Sequence, residues 1–134
     1  MLKYSDITGE IIGCAMEVHR VLGPGFQEYI YHRALEKELK EKNILHTSEY
    51  EMKIFYKGDV IGLRRVDFLV KKLVAVEIKA VTQLENVHLA QALNYLEASE
   101  YDVGLLINFG SNSLTFKRLQ KKWDNGDKEP VNIV

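Results

Sequence analysis

Arg65-Val66-Asp67-Phe68-Leu69-Val70-Lys71-Lys72-Leu73-Val74-Ala75-Val76-Glu77-Ile78-Lys79 decides the fold. Two apolar runs flank a dilysine, and each run, rich in Val, Leu and Ile, reads as a β-strand. Side chains alternate along a strand, so Glu77 and Lys79 share a face with Leu73 and Ala75, and Val74, Val76 and Ile78 share the other. A carboxylate and an ammonium inside such a strand carry a desolvation penalty unless something pairs or uses them. That conflict with the apolar pattern is the first sign of a site.

Asp67 joins Glu77 only in some registers. With a two-residue loop, Lys71-Lys72, Asp67 opposes Val76 and faces away from Glu77. With Lys71-Lys72-Leu73 as the loop it lies opposite Glu77, and a β-bulge would serve equally. A site here therefore requires an odd-length turn or a bulge.

Outward from this hairpin, the pattern predicts a first helix to residue 22, with Ser5 or Asp6 as N-cap and Ile7, Ile11, Cys14, Ala15, Val18 and Leu22 at helical spacing. Gly13 in its interior suits a close approach by another backbone or a ligand, since it costs about 1 kcal/mol relative to Ala. Gly23-Pro24-Gly25 ends that helix. A second helix is expected over 26–42, burying Ile30, Ala34, Leu35 and Leu39. Strands follow at 49–56, 60–70 and 73–80, then a helix at 84–99 and strands at 103–109 and 114–119. Val103-Gly104-Leu105-Leu106-Ile107-Asn108-Phe109 is a continuous apolar run, as expected of a strand covered on both faces. The order α-α-β-β-β-α-β-β predicts an α/β fold, a mixed central sheet flanked by helices. The β-α-β crossover before that apolar strand should be parallel and right-handed. One domain over 1–119 and a polar tail over 120–134 are expected.

At 134 residues the chain suffices for one domain with a real core. With 46% hydrophobic and 28% charged residues it has a globular composition, and its net charge of -1 excludes a broadly basic nucleic-acid coat but not a local patch. The single cysteine, Cys14, falls on the apolar side of the first helix and reads as core. No apolar stretch approaches the ~20 residues of a membrane span, and no signal-peptide pattern opens the chain, so the expected location is cytoplasmic.

Asp67, Glu77 and Lys79 form the first candidate set. Mg²⁺ is typically held by one or two carboxylates with water completing the shell, so Asp67, Glu77 and the Ile78 carbonyl could supply a partial shell. Lys79 beside it could hold an attacking water or stabilise charge on a phosphate. The plainer alternative is an Asp67–Lys79 or Glu77–Lys79 ion pair at a sheet end. His88, Gln91 and Tyr95 share one face of the third helix and suit contact with phosphate or water, although a solvated amphipathic helix would look the same. Glu17 lies on a stripe with Gly13 that could present a carboxylate to the sheet, or pair with Arg20 one turn on.

These words resemble the PD-(D/E)-x-K nuclease core: an Asp on a second strand, Glu77-x-Lys79 on the third, then helix and strand. Gly13-x-x-x-Glu17 and Gln91-x-x-x-Tyr95 resemble its RecB-like branch. The stretch from Ile11 to Leu119, including Leu22-Gly23-Pro24-Gly25-Phe26-Gln27-Glu28 and Leu105-Leu106-Ile107-Asn108-Phe109-Gly110, is similar to the small GxxExxxR proteins. The resemblance implies a restriction-endonuclease-like core and Mg²⁺- or Mn²⁺-dependent phosphodiester hydrolysis. It implies Asp67 and Glu77 as metal ligands, Lys79 as catalytic lysine, Glu17 as an added acidic group, and Gln91 and Tyr95 as substrate-positioning groups. Two departures stand out. The family's Arg position holds His32, which leaves Glu28 without an assigned role, and Val66 stands where a Pro often precedes the Asp.

The expected function is thus a divalent-metal-dependent nuclease acting on DNA, single-stranded or with free ends, with a homodimer or an accessory protein as a plausible aid to grip. Arg64, Arg65, Lys71, Lys72, Lys117 and Arg118 are candidate phosphate contacts. The alternative is a non-catalytic nucleic-acid-binding or scaffold protein, in which the carboxylates fail to converge or are tied up by Arg20, Arg64 or Arg65. A weaker third reading, a hydrolase of small phosphorylated substrates, would need a closed pocket.

Overall fold

The computed structural model describes residues 2–121. The elements are α1 (Ser5–Leu22), α2 (Glu28–Glu41), β1 (His46–Tyr56), β2 (Asp59–Val70), β3 (Val74–Lys79), α3 (Asn86–Glu97), β4 (Val103–Asn108) and β5 (Thr115–Gln120), in the expected order. The strands form one five-stranded sheet in sequence order. β3 and β4 are parallel, joined through α3, and the other neighbours are antiparallel. Among the described residues no helix is long and apolar enough to cross a membrane. The predicted tail begins too early: Gln120 ends β5, and the Lys121 amide donates to the Asp102 carbonyl at 2.8 Å. The rest of that segment, from residue 122, lies outside the described residues.

Helices cover both faces of the sheet. On one, Ile11, Cys14 and Val18 of α1 and Leu35 and Leu39 of α2 pack on Phe68, Val74, Val76, Ile78, Leu105 and Ile107. On the other, Ala92 and Leu96 of α3 meet Leu106 and Leu119, next to a cluster of Met52, Val66 and Ala75. β4 lies between the layers and all its residues are buried, which is why its sequence is apolar up to Asn108. Gly104 lets α3 come close: a Cβ there would meet the Ala75 carbonyl at 3.4 Å and Leu96 at 3.6 Å.

Local details depart from the periodicity. Tyr4, in the left-handed region, occupies the N-cap of α1, and Ser5 is already helical. α2 starts at Glu28 and buries Tyr31 with Leu35 and Leu39, one residue out of phase with the predicted Ile30. A tyrosine can be buried there because its hydroxyl is satisfied: it donates to the Gly23 carbonyl and accepts from the Phe26 amide at 3.1 Å. The ring stacks on Phe109 at 4.8 Å. This staple fixes the loop between α1 and α2, and hence the start of α2.

Candidate active site

The hairpin takes the odd-length turn. Val70 pairs with Val74, leaving Lys71-Lys72-Leu73 as the loop, with both lysines at positive φ. Pairing between β2 and β3 then ends at Phe68–Val76, whereas the ladder of β2 below Asp67, from Val66 back to Asp59, runs only to β1. The sheet therefore splits. The long β1–β2 arm diverges from the end of β3, and Asp67 stands at the fork.

Both strands of the arm change face at this point. Val66 packs with Met52 and Ala75 on the α3 side, whereas Phe68, two residues on, packs with Val74 and Val76 beneath α1 and α2. Across the ladder, Tyr50 contacts the Met52 cluster, whereas the Ser48 hydroxyl meets His32 of α2 at 2.9 Å. A regular strand keeps residues i and i+2 on one face. The alternation breaks at Glu49, which adopts φ 52°, and at Asp67 opposite it; neither has a partner in a ladder that resumes on both sides. Asp67 is thereby released from the face pattern. One carboxylate oxygen accepts the Ile78 amide at 2.8 Å, taking the place of the ladder bond that β2 no longer supplies. The other meets His32 Nδ1 at 3.0 Å.

Glu77 and Lys79 line the same cleft, a cavity of about 230 Å³ bounded by Glu28, Arg64, Arg65, Val66, Asp67 and Ile78 as well. Glu77 accepts Arg64 Nε at 3.0 Å, with the two side chains 14% and 25% exposed respectively. Burial opposes the Arg64 charge, but the bond to Glu77 and its negative charge hold the guanidinium pKa above its usual value. The Arg64 guanidinium also lies 4.4 Å over the Tyr95 ring, so α3 reaches the cleft through a cation–π contact. Neither ion pair foreseen for Lys79 forms. The Lys79 ammonium has no hydrogen-bond or ion-pair partner among the described residues.

Glu28, at the first turn of α2, is the third acid of the cleft. Desolvation first, and the Asp67 charge second, raise its carboxyl pKa, with Lys79 opposing and Glu77 reinforcing the rise. Glu17 does not take this place. It pairs with Arg20 at 2.8 Å, and the bond to Arg20 lowers its pKa. It lines a separate surface hollow with Gly13, Met16, Glu38 and Lys42. A Cβ on Gly13 would meet nothing within 4 Å, so that glycine serves no close approach. The stripe was read correctly as a stripe, but α1 turns it to solvent. His88 is likewise occupied elsewhere: its Nδ1 accepts the Glu85 amide at 3.0 Å and closes a capping box on α3. Gln91 is on the surface. It shares with Tyr95 an open hollow of about 460 Å³ together with Ile54, Val87, Asn94 and Ala98.

Glu28 and His32 were the residues that sequence reasoning left without a role. Their i, i+4 spacing, on the words that start at Gly25, was the available signal. It needed the knowledge that this face of α2, and not the Glu17 face of α1, meets the fork.

The oxygen-only donors of Asp67, Glu77 and the Ile78 backbone suit a hard divalent cation that keeps several waters. Among the described residues, no three His, Cys, Asp or Glu side chains are gathered into a ready-made cage. Glu77 would have to share with or release Arg64 on binding an ion.

A mixed sheet between helices, with acids and a lysine at the split end of its central hairpin, defines a restriction-endonuclease-like domain. The chain belongs to the PD-(D/E)XK nuclease superfamily, whose family model matches residues 5–119. Searches of curated proteins and of solved structures found no match.

Proposed function

We propose that this protein hydrolyses phosphodiester bonds in DNA, with Mg²⁺ or Mn²⁺ held by Asp67, Glu77 and the Ile78 carbonyl. The observation that carries this reading is Lys79, an ammonium without a hydrogen-bond or ion-pair partner among the described residues, in a cleft lined by Asp67, Glu77 and Glu28. A divalent ion, when bound, would acidify a water and offset charge on the phosphate. Lys79 would orient that water or stabilise the phosphoryl oxygens as charge grows on them. Glu28, with its raised pKa, is suited to proton transfer at the cleft mouth and replaces Glu17 as the added acid. Arg64, with Nε on Glu77, offers its remaining N–H groups to a phosphate, and Tyr95 fixes its plane. Gln91 extends this face along α3. Glu28 and Arg65 are exposed, so the cleft opens to solvent and suits a polymer better than a small phosphorylated substrate.

One observation favours the non-catalytic alternative. Arg64 does tie up one oxygen of Glu77, as a scaffold that had abandoned metal would allow. A cleavage assay with Mg²⁺ or Mn²⁺ on single-stranded, linear duplex and circular DNA separates the two. We expect metal-dependent cleavage that falls at least about a hundredfold in Lys79→Ala. Equal activity in that variant would point to a contaminant and sink the proposal.

A further inference from the structure

Behind Asp67 runs a chain of hydrogen bonds that the reaction above does not use. His32 of α2 lies between Asp67 and Ser48 of β1, with Nδ1 3.0 Å from Asp67 Oδ1 and Nε2 2.9 Å from Ser48 Oγ. Its side chain is 14% exposed, and its ring stacks on Phe68 at 4.4 Å with 22° between planes. Phe68 is itself fully buried in the core. The Asp67 carboxylate can only accept, so His32 presents Nδ1–H to it, and the Ser48 hydroxyl, able to donate or accept, holds the other side of the ring at Nε2.

We infer that His32, locked by Ser48 and Phe68, is the positioning residue that aims the Asp67 carboxylate at the cation site. This rests on the metal-site reading of Asp67. At the fork, pairing to β3 has ended, and Asp67 faces a Glu49 that is also unpaired, so the backbone alone orients the carboxylate poorly. Two donors, one on each oxygen, replace that restraint: the Ile78 amide on Oδ2 and His32 on Oδ1. Each oxygen keeps a further lone pair, which leaves Asp67 able to bind a cation in a fixed direction. A Ser–His–Asp series also serves nucleophilic hydrolases. Here the hollow that His32 lines is bounded by Glu28, Tyr29, Arg33, Glu49, Arg65 and Asp67, so it opens onto the acid end of the series and not onto the Ser48 hydroxyl.

The test measures Mn²⁺ binding to the full chain without DNA, by water-proton relaxation, beside thermal melts of the metal-free proteins. His32→Ala should weaken Mn²⁺ binding by about 10- to 100-fold. His32→Asn keeps a donor near the Nδ1 position and should recover most of that loss. Ser48→Ala should weaken binding by less than His32→Ala, with little change in melting temperature. Asp67→Ala is the reference and should abolish binding. Melting temperatures that fall in the His32 variants while Mn²⁺ affinity stays at the wild-type value would reduce His32 to a packing residue and overturn the inference. Unchanged binding in Asp67→Ala would overturn the metal site itself, and the inference with it. Ser48→Ala and His32→Asn keep the question answerable if His32→Ala does not fold.

Discussion

Glu28 brings a third negative charge into a corner that already holds Asp67 and Glu77, and both burial and Asp67 raise its carboxyl pKa. Without a cation the ionised Glu28 carboxylate opposes folding. The folded-state pKa lies above the ordinary carboxylate value, so the penalty is full at neutral pH. It fades as pH falls through the folded pKa towards the unfolded one. Glu28→Gln removes the charge and keeps the shape. Because Glu28 is exposed and solvent screens it, the gain should be small: about 1–3 °C in the melting temperature of the metal-free chain at pH 7. The difference from wild type should shrink in melts at progressively lower pH. A gain that grew on acidification would reverse the assigned sign and show that Glu28 is stabilised by its neighbours. Glu17, the acid that the sequence favoured, offers no such effect, because Arg20 already neutralises it at the surface.

At the scale of elements, β3 and β4 are held in place where they leave the sheet by Asn108, which is fully buried. Its Oδ1 accepts the Val81 amide at 3.0 Å and the Gly110 amide at 3.1 Å, and its Nδ2 donates to the Val81 carbonyl at 2.8 Å. Asn108 pairs with Lys79 across the parallel ladder, so this knot also anchors the Lys79 end of β3. Asn108→Ala would leave two amides and a carbonyl unpaired at roughly 1 kcal/mol or more each, a loss of about 2–4 kcal/mol in urea denaturation. A loss under about 0.5 kcal/mol in the alanine variant would show that water replaces the knot. The element order and the doubly covered β4 were legible in sequence, because each rests on local periodicity. The hairpin turn was not: periodicity left even and odd lengths open, and only the pairing of Val70 with Val74 decides between them. The break in alternation at Glu49 and Asp67 was not. Nothing in the composition of Ser48-Glu49-Tyr50 announces a glutamate at positive φ, and the pairing that permits it spans the whole β1–β2 arm. Glu28 and His32 were illegible for a related reason: the partners of His32 lie on strands 16 and 35 residues further on and the charges around Glu28 lie farther still, and helical phase alone does not say which face meets them.

For the whole molecule, the acids, Lys79 and Arg64 link local chemistry to global stability. The metal-free fold is held at the fork by Asp67 on Ile78 and by Arg64 on Glu77, while Glu28 works against it. A cation bound only by the native state stabilises that state by mass action, about 2.7 kcal/mol at a hundred times its dissociation constant. For a domain of this length that corresponds to a rise of roughly 8–13 °C in melting temperature. Wild type should show this rise with Mn²⁺, Asp67→Ala should show almost none, and Lys79→Ala should keep it, since an ammonium is no ligand. Lys79→Ala would then be inactive yet metal-responsive, a combination that separates holding the ion from using it. If Mn²⁺ raised the melting temperature of Asp67→Ala as much as that of wild type, the ion would be binding elsewhere. The fork between β2 and β3 would then be a structural junction of charged groups and not a metal centre.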